Sequence, residues 1–217
     1  MAGDVALLEA FLRGEIPPTL RVYQWASPAL TYGVNQQLPA RLVDACAALG
    51  IPMLRRPTGG KAVLHGHDLT AALVFCAADC EPSPCRPYPR QVYQMLAPAL
   101  IEAFAQVGIP AVQGDAPAPD PRSHDDGGDC FATPAIADLV HAETGVKLMG
   151  CALLVRGACV LMQASIPLRI PEVPVERLFG HPHPAPPPID PDALTDALYR
   201  TLTRLIHTPA NAINTAP

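Results

Sequence analysis

Three short apolar runs, residues 51–54, 62–65 and 69–76, are separated by segments that carry the turn Thr58-Gly59-Gly60-Lys61 and the pair Gly66-His67. Runs this short, bounded by glycine and rich in Val and Leu, read as strands and not as helices. They predict a sheet centre, and the remaining elements are expected to pack around it. Residues 20–25 alternate apolar and polar side chains, and residues 29–34 follow a Ser27-Pro28 turn, so these two segments are expected to form a strand pair. Strands are also expected at 109–112, 146–149, 152–155 and 158–161, with Arg156-Gly157 as a hairpin turn. Helical spacing of Val5, Leu8, Phe11 and Leu12 predicts a helix capped by Asp4. Pro39 opens a second helix that ends at Gly50, and Val92, Leu96, Leu100, Phe104 and Val107 mark a third with a kink at Pro98. A last helix spans 192–206. Interleaved strand pairs and helices predict an α+β fold, with mixed β-sheets flanked by helices.

A chain of 217 residues suits a single domain, taken here as residues 1–217. Its 27 prolines gather at 80–89, 116–121 and 182–191, which read as loops, the last being a linker before the final helix. A net charge of -5 with no block of Lys or Arg argues against a nucleic-acid surface. No stretch approaches the roughly 18 apolar residues of a membrane span, and the amino terminus lacks the pattern of a secretion signal, so the cytoplasm is the expected location. There most of the seven cysteines are expected to be buried free thiols. Cys76, Cys80 and Cys85 lack the paired spacing of a zinc site, and His65/His67 and His181/His183 are equally weak as ligand pairs. Residues 114–129, with His124, Asp125 and Asp126, read as a solvated loop.

The chemistry-bearing segment is Arg55-Arg56-Pro57-Thr58-Gly59-Gly60-Lys61, continued to His65. Small residues in a tight turn let backbone N–H groups approach an acyl or phosphate group, with basic neighbours supplying charge. By spacing alone, two glycines in a strand connection are more often a plain turn.

Residues 55–65 resemble the signature of the lipoate-protein ligase and octanoyltransferase family, and so do the segments 4–9, 20–25, 30–36, 130–131 and 145–150. The likeness extends over residues 4–168. It implies a biotin/lipoate protein ligase-like catalytic domain in which Arg55, Arg56, Thr58, Gly59, Gly60, Lys61, His65 and Gly150 bind the acyl substrate. Burying six or seven methylene groups would supply roughly 5 kcal/mol. The basic Lys61, and Cys130 in a Cys-Phe pair, resemble the cysteine-type octanoyltransferase branch. The sequence also ends soon after the last expected helix, which suggests, but with split ligases known does not require, the absence of an accessory ligase domain. In that branch Cys130 is the nucleophile and Lys147 holds the acyl carbonyl, although on its own Lys147 reads as a solvated strand lysine. Only about 3 % of an unperturbed thiol is ionised at pH 7, so Cys130 is expected to need cationic help. The donor would be octanoyl-acyl carrier protein, the acceptor a lysine of a lipoyl-domain protein, and no cofactor would be required. Arg55, Arg56 and Lys61 are candidates for carrier docking or for a phosphopantetheine phosphate.

The alternatives are an ATP-dependent lipoate-protein ligase, in which Cys130 is dispensable, and a silent binder of lipoyl domains or acyl chains. The binder is motivated by departures from the family pattern: Cys151-Ala152-Leu153 in place of Ser-Ala-Gln, Gln163-Ala164 in place of His-Gly, and Ala71-Ala72 in place of Tyr-Ser. Each removes a polar or bulky group.

Overall fold

The computed structural model describes residues 1–80, 88–114 and 128–207. In chain order the elements are α1 (Ala2–Leu12), β1 (Thr19–Gln24), β2 (Ala29–Tyr32), α2 (Ala40–Ala48), β3 (Met53–Arg55), β4 (Val63–His65) and β5 (Asp68–Cys76). They continue as α3 (Pro89–Gln106), β6 (Ala111–Gln113), β7 (Leu139–His141), β8 (Lys147–Arg156), β9 (Cys159–Pro167), α4 (Val175–Phe179) and α5 (Pro191–His207).

A six-stranded antiparallel sheet runs β1-β5-β9-β8-β7-β6, and a three-stranded sheet runs β3-β2-β4. The small sheet is mixed, since β2 pairs in parallel with β3 and antiparallel with β4. The expected α+β architecture is therefore present. Strand β5 explains why residues 69–76 read as one apolar run. Leu69, Ala71, Leu73 and Phe75 face the main core against α3 and α5, while Ala72 and Val74 face α1 through Leu8. A strand covered on both faces loses the polar alternation of a half-solvated one. Each large side chain buried here stabilises the fold by about 1.5–3 kcal/mol. A second core, with Leu30, Leu42, Leu64, Leu178 and Phe179, seals the small sheet beneath α2 and α4.

Four expectations need correction. β1 and β2 do not pair with each other: β1 joins β5 in the large sheet and β2 joins the small one, because the Ser27-Pro28 corner sends the chain from one sheet to the other. Asp4 does not cap α1; the helix begins two residues earlier, and Asp4 is drawn inward by Arg21 at 2.6 Å, Tyr23 at 2.9 Å and Gln163 at 2.7 Å. The segments 146–149 and 152–155 are one continuous strand, β8, since Gly150 and Cys151 pair with Ser165 and Ala164 of β9. Helix α3 runs unbroken through Pro98, which lies on its exposed side where the missing N–H matters least. Cys85, His124, Asp125 and Asp126 lie outside the described residues. No helix among the described residues is long and apolar enough to cross a membrane.

Candidate active site

The glycine turn follows β3. Gly60 adopts φ +87°, a conformation that glycine tolerates and other residues rarely do. Buried Arg56 shapes the turn from within: its guanidinium donates to the carbonyls of Gly59 at 2.7 Å and Lys61 at 2.8 Å. A β-carbon on Gly60 would lie 2.9 Å from that guanidinium. Thr58 donates to Gln163 Oε1 at 2.9 Å, which ties the turn to β9. Arg55 is exposed and donates to the Val34 carbonyl at 3.1 Å, and it lines neither cavity described below.

After the turn, Ala62 receives the Cys130 loop. The Cys130 N–H donates to the Ala62 carbonyl at 2.8 Å, and the Ala62 N–H to that of Gly128 at 2.9 Å. Buried Asp129 holds the loop from the other side: one oxygen accepts from the Phe131 N–H at 2.9 Å, the other from His183 Nε2 at 2.6 Å. Segment 182–191, expected as a plain linker, thus carries the side chain that clamps this loop.

Lys147, at the start of β8, points its ammonium at the same place. Nζ lies 3.5 Å from Cys130 Sγ, 2.5 Å from the Cys130 carbonyl oxygen and 2.7 Å from Asp138 Oδ2. Asp138 also accepts from the Ala135 N–H at 2.7 Å, so it is held where it can hold Lys147. Burial alone would lower Lys147, but the charges of Cys130 and Asp138 outweigh it and keep the ammonium above the usual lysine value. Cys130, expected to need cationic help, receives it from Lys147 but still lies above the ordinary thiol value. Burial pushes its thiol up, and Asp138 adds to that rise, so the pull of Lys147 only partly offsets it. Gly150 leaves room at the sulfur: a β-carbon there would stand 3.2 Å from Cys130 Sγ and 3.4 Å from Lys147 Cε.

Cys130 sits where two cavities meet. The inner one, of about 50 Å³, is narrow and mainly apolar, with Trp25, Val63, Ala152 and Ala164 in its wall. His65 belongs to this wall, stacked on Trp25 at 4.5 Å. Both its ring nitrogens are engaged, by Asp68 at 2.7 Å and Thr31 at 2.9 Å, which suits a fixed wall more than proton transfer. Asp68 is held below the usual carboxylate value: burial would raise it, but hydrogen bonds from His65 and Ser165 prevail. The outer cavity, of about 470 Å³, is lined by Cys130, Lys147, Lys61 and Arg90 among others.

Sequence reasoning missed Asp138, Trp25, Gln163, Tyr93 and the Asp129–His183 pair. The lone tryptophan was a usable signal. The others depend on contacts between residues far apart in the chain. No group of three or more His, Cys, Asp or Glu side chains among the described residues is arranged to hold a metal ion.

The α+β domain thus sets a thiol and an ammonium side by side at the junction of two cavities. The chain belongs to the lipoyl protein ligase A/B catalytic domain family, whose model matches residues 1–184. It is 32 % identical over 192 residues to octanoyltransferase LipM of Anoxybacillus flavithermus, a match covering 84 % of this chain and 66 % of that protein. LipM of Symbiobacterium thermophilum is 33 % identical over 198 residues, covering 83 % and 69 %. The chain spans slightly less than two thirds of the length of the A. flavithermus relative. Among solved structures it resembles Ta0514 of T. acidophilum with bound lipoic acid, at TM-score 0.67 and 19 % identity over 95 % of this chain and 82 % of that one. Lipoate-protein ligase A bound with ATP aligns at TM-score 0.64 and 20 % identity, covering 94 % and 81 %. At these identities the likeness to solved structures concerns the fold.

Proposed function

We propose that this single catalytic domain transfers an octanoyl group from acyl carrier protein to a lysine of a lipoyl-domain protein in the cytoplasm, through a thioester on Cys130. The observation that carries the reading is the 3.5 Å approach of Lys147 Nζ to Cys130 Sγ where the two cavities meet. The LipM relatives, named octanoyltransferases, support the same reaction.

In the first step the Cys130 sulfur attacks the thioester carbonyl. A C–S bond to Cys130 forms, the C–S bond to the carrier breaks, and the proton lost by Cys130 ends on the departing thiol. In the second, the acceptor amine attacks the acyl-cysteine: a C–N bond forms, the C–S bond breaks, and the amine proton returns to Cys130. Lys147 stabilises the oxyanion in both steps, and Asp138 fixes its ammonium. Since burial disfavours a resting thiolate, ionisation is coupled to arrival of the thioester, not completed beforehand. Gly59, Gly60, Thr58 and Arg56 shape the acyl site, and Gly150 leaves space for the sulfur. Eight carbons exceed the inner cavity as it stands, and the flexible Met1 side chain in its wall is the part best suited to make way. No cofactor enters these steps.

Intact-mass analysis after incubation with octanoyl-acyl carrier protein tests the reading. The expected result is one octanoyl adduct that Cys130→Ser abolishes and a lipoyl domain discharges. ATP-dependent acylation of that domain by the Cys130→Ser variant would sink the mechanism.

A further inference from the structure

Two of the free thiols belong to directly opposed residues. Cys76 ends β5 and Cys159 begins β9, and the register of these antiparallel strands makes them partners. One step further along the ladder, the Ala77 N–H donates to the Ala158 carbonyl at 2.8 Å. Hydrogen-bonded and non-hydrogen-bonded pairs alternate in an antiparallel ladder, so Cys76 and Cys159 form a non-hydrogen-bonded pair. Such a pair brings its Cα atoms to about 4.5 Å and sends both side chains to one face. A disulfide spans Cα separations of about 4.4–6.8 Å. The backbone therefore already has the spacing of a cross-strand bridge.

The other described cysteines are placed differently. Side chains alternate along β5, so Cys76 follows Ala72 and Val74 on the face covered by α1, where Val74 lies opposite Leu161. Cys80 packs into the main core, and its thiol is directed at the Cys76 carbonyl at 3.9 Å. Cys46 belongs to the second core, and Cys130 and Cys151 line the two cavities. Cys76 and Cys159 are thus the one cross-strand cysteine pair among the described residues, and both are half-buried, open enough for a small reagent. After burial, Cys76 is the next cause that holds the Cys159 thiol above its ordinary value, as a close neighbour would.

Neither residue takes part in the transfer reaction. β5 has nine residues, and at about 3.4 Å per residue its Cys76 end stands roughly 27 Å from Asp68, which holds His65 in the inner cavity wall.

We propose that Cys76 and Cys159 are an oxidation site, at which a low-molecular-weight disulfide such as glutathione disulfide produces a cross-strand bridge that staples β5 to β9. One thiolate of the pair attacks the reagent, whose S–S bond breaks and releases one thiol. The other thiolate attacks the mixed disulfide, the Cys76–Cys159 bond forms and the second thiol leaves. Two electrons and two protons pass from the protein to the small disulfide, which ends as two thiols. The bridge encloses residues 77–158, and with them α3, β6, β7, β8 and the Cys130 loop, and it leaves Cys130 itself free. In a reducing compartment the pair stays a dithiol, and under oxidative load it locks the large sheet.

The test incubates the folded protein with glutathione disulfide and maps its peptides without reduction. The expected result is a Cys76–Cys159 linkage that is absent from Cys76→Ser and from Cys159→Ser. Oxidation should raise the Tm of the wild type by roughly 5–10 °C, dithiothreitol should reverse the rise, and neither serine variant should show it. Alkylation of Cys130 by iodoacetamide should proceed at the wild-type rate in both variants, as expected of a site remote from the nucleophile. Stable glutathione adducts on Cys76 and Cys159, or a Cys76–Cys80 linkage in place of the expected one, would overturn the pairing. A Cys76–Cys159 linkage that forms only in urea would show that the native ladder keeps the sulfurs apart. A native linkage that leaves Tm unchanged or lowers it would overturn the staple.

Discussion

Lys147 Nζ stands 2.7 Å from Asp138 Oδ2 and 3.5 Å from Cys130 Sγ, so one ammonium is shared between a carboxylate and a thiol. The two partners act on Cys130 in opposite directions: Lys147 lowers its pKa and Asp138 raises it. Removing each charge should therefore move the pH profile of iodoacetamide alkylation at Cys130 in opposite senses, upward in Lys147→Met and downward in Asp138→Asn. Transfer should nevertheless fall in both, by roughly 10²–10³-fold in Lys147→Met, which loses the oxyanion donor, and by up to about 10²-fold in Asp138→Asn, which loses only its aim. Shifts of the same sign would show that the lysine and the aspartate do not work as a unit.

Gly150 should accept no side chain without cost to the sulfur beside it. In Gly150→Ala the added methyl would crowd Cys130 Sγ at 3.2 Å. Overpacking should destabilise the protein by about 1–3 kcal/mol, and Cys130 acylation should slow by about tenfold as its approach geometry is displaced. Urea unfolding and acylation rates, measured on the same preparation, check the two effects. Unchanged acylation would show that the close contact relaxes freely.

His183 should matter for order in the nucleophile's loop more than for the cores. His183→Phe keeps a ring against Phe179, 5.7 Å away, and removes the 2.6 Å bond to Asp129. The expected cost is about 1–3 kcal/mol, since Asp129 is left buried with one donor fewer. Hydrogen exchange should quicken at the Cys130 and Phe131 amides while amides of β5 and β9 keep their relative protection.

His67 sets an acid limit on stability. Burial lowers its pKa from 6.5 to about 4, against the pull of Asp68 and with the help of His183, His65 and Arg169. Its Nδ1 has no hydrogen-bond partner among the described residues. Between those two pH values the unfolded chain binds a proton that the folded one refuses, so stability is full above about 6.5 and is lost as pH falls toward 4. The loss from this group is at most about 3 kcal/mol. His67→Gln should flatten the decline in urea midpoint between pH 7 and pH 5; an unchanged decline would place the acid sensitivity elsewhere.

Most elements of the fold were legible in the sequence because their signals are local. The run 69–76, the Gly60 turn and the spacing of Leu96, Leu100 and Phe104 each declare themselves within a few residues. Pairing was less legible. Strands β1 and β2 are neighbours in sequence yet join different sheets, and no periodicity within either strand states which partner it will meet. The site divides in the same way. Cys130, Lys147 and the glycine turn were visible as motifs, and the structure brings them together. Asp138 and His183 were not, because a carboxylate or imidazole gains a role only from the atom it faces. Cys130 was expected to need cationic help, and Lys147 stands beside it and lowers it, but the motif showed neither the depth of the thiol nor the aspartate, which together outweigh that pull.

The clamp on the Cys130 loop has a consequence for how the molecule assembles in time. Ala62 grips the loop from one side and His183, 54 residues beyond Asp129, from the other. Each grip closes a long stretch of chain, and such closures follow local structure during folding. A nascent or partly folded molecule can hold its helices and hairpins while the nucleophile is still unanchored. Reactivity at Cys130 is thus expected to lag behind the helices and hairpins during refolding, which the time course of its alkylation against far-UV circular dichroism checks.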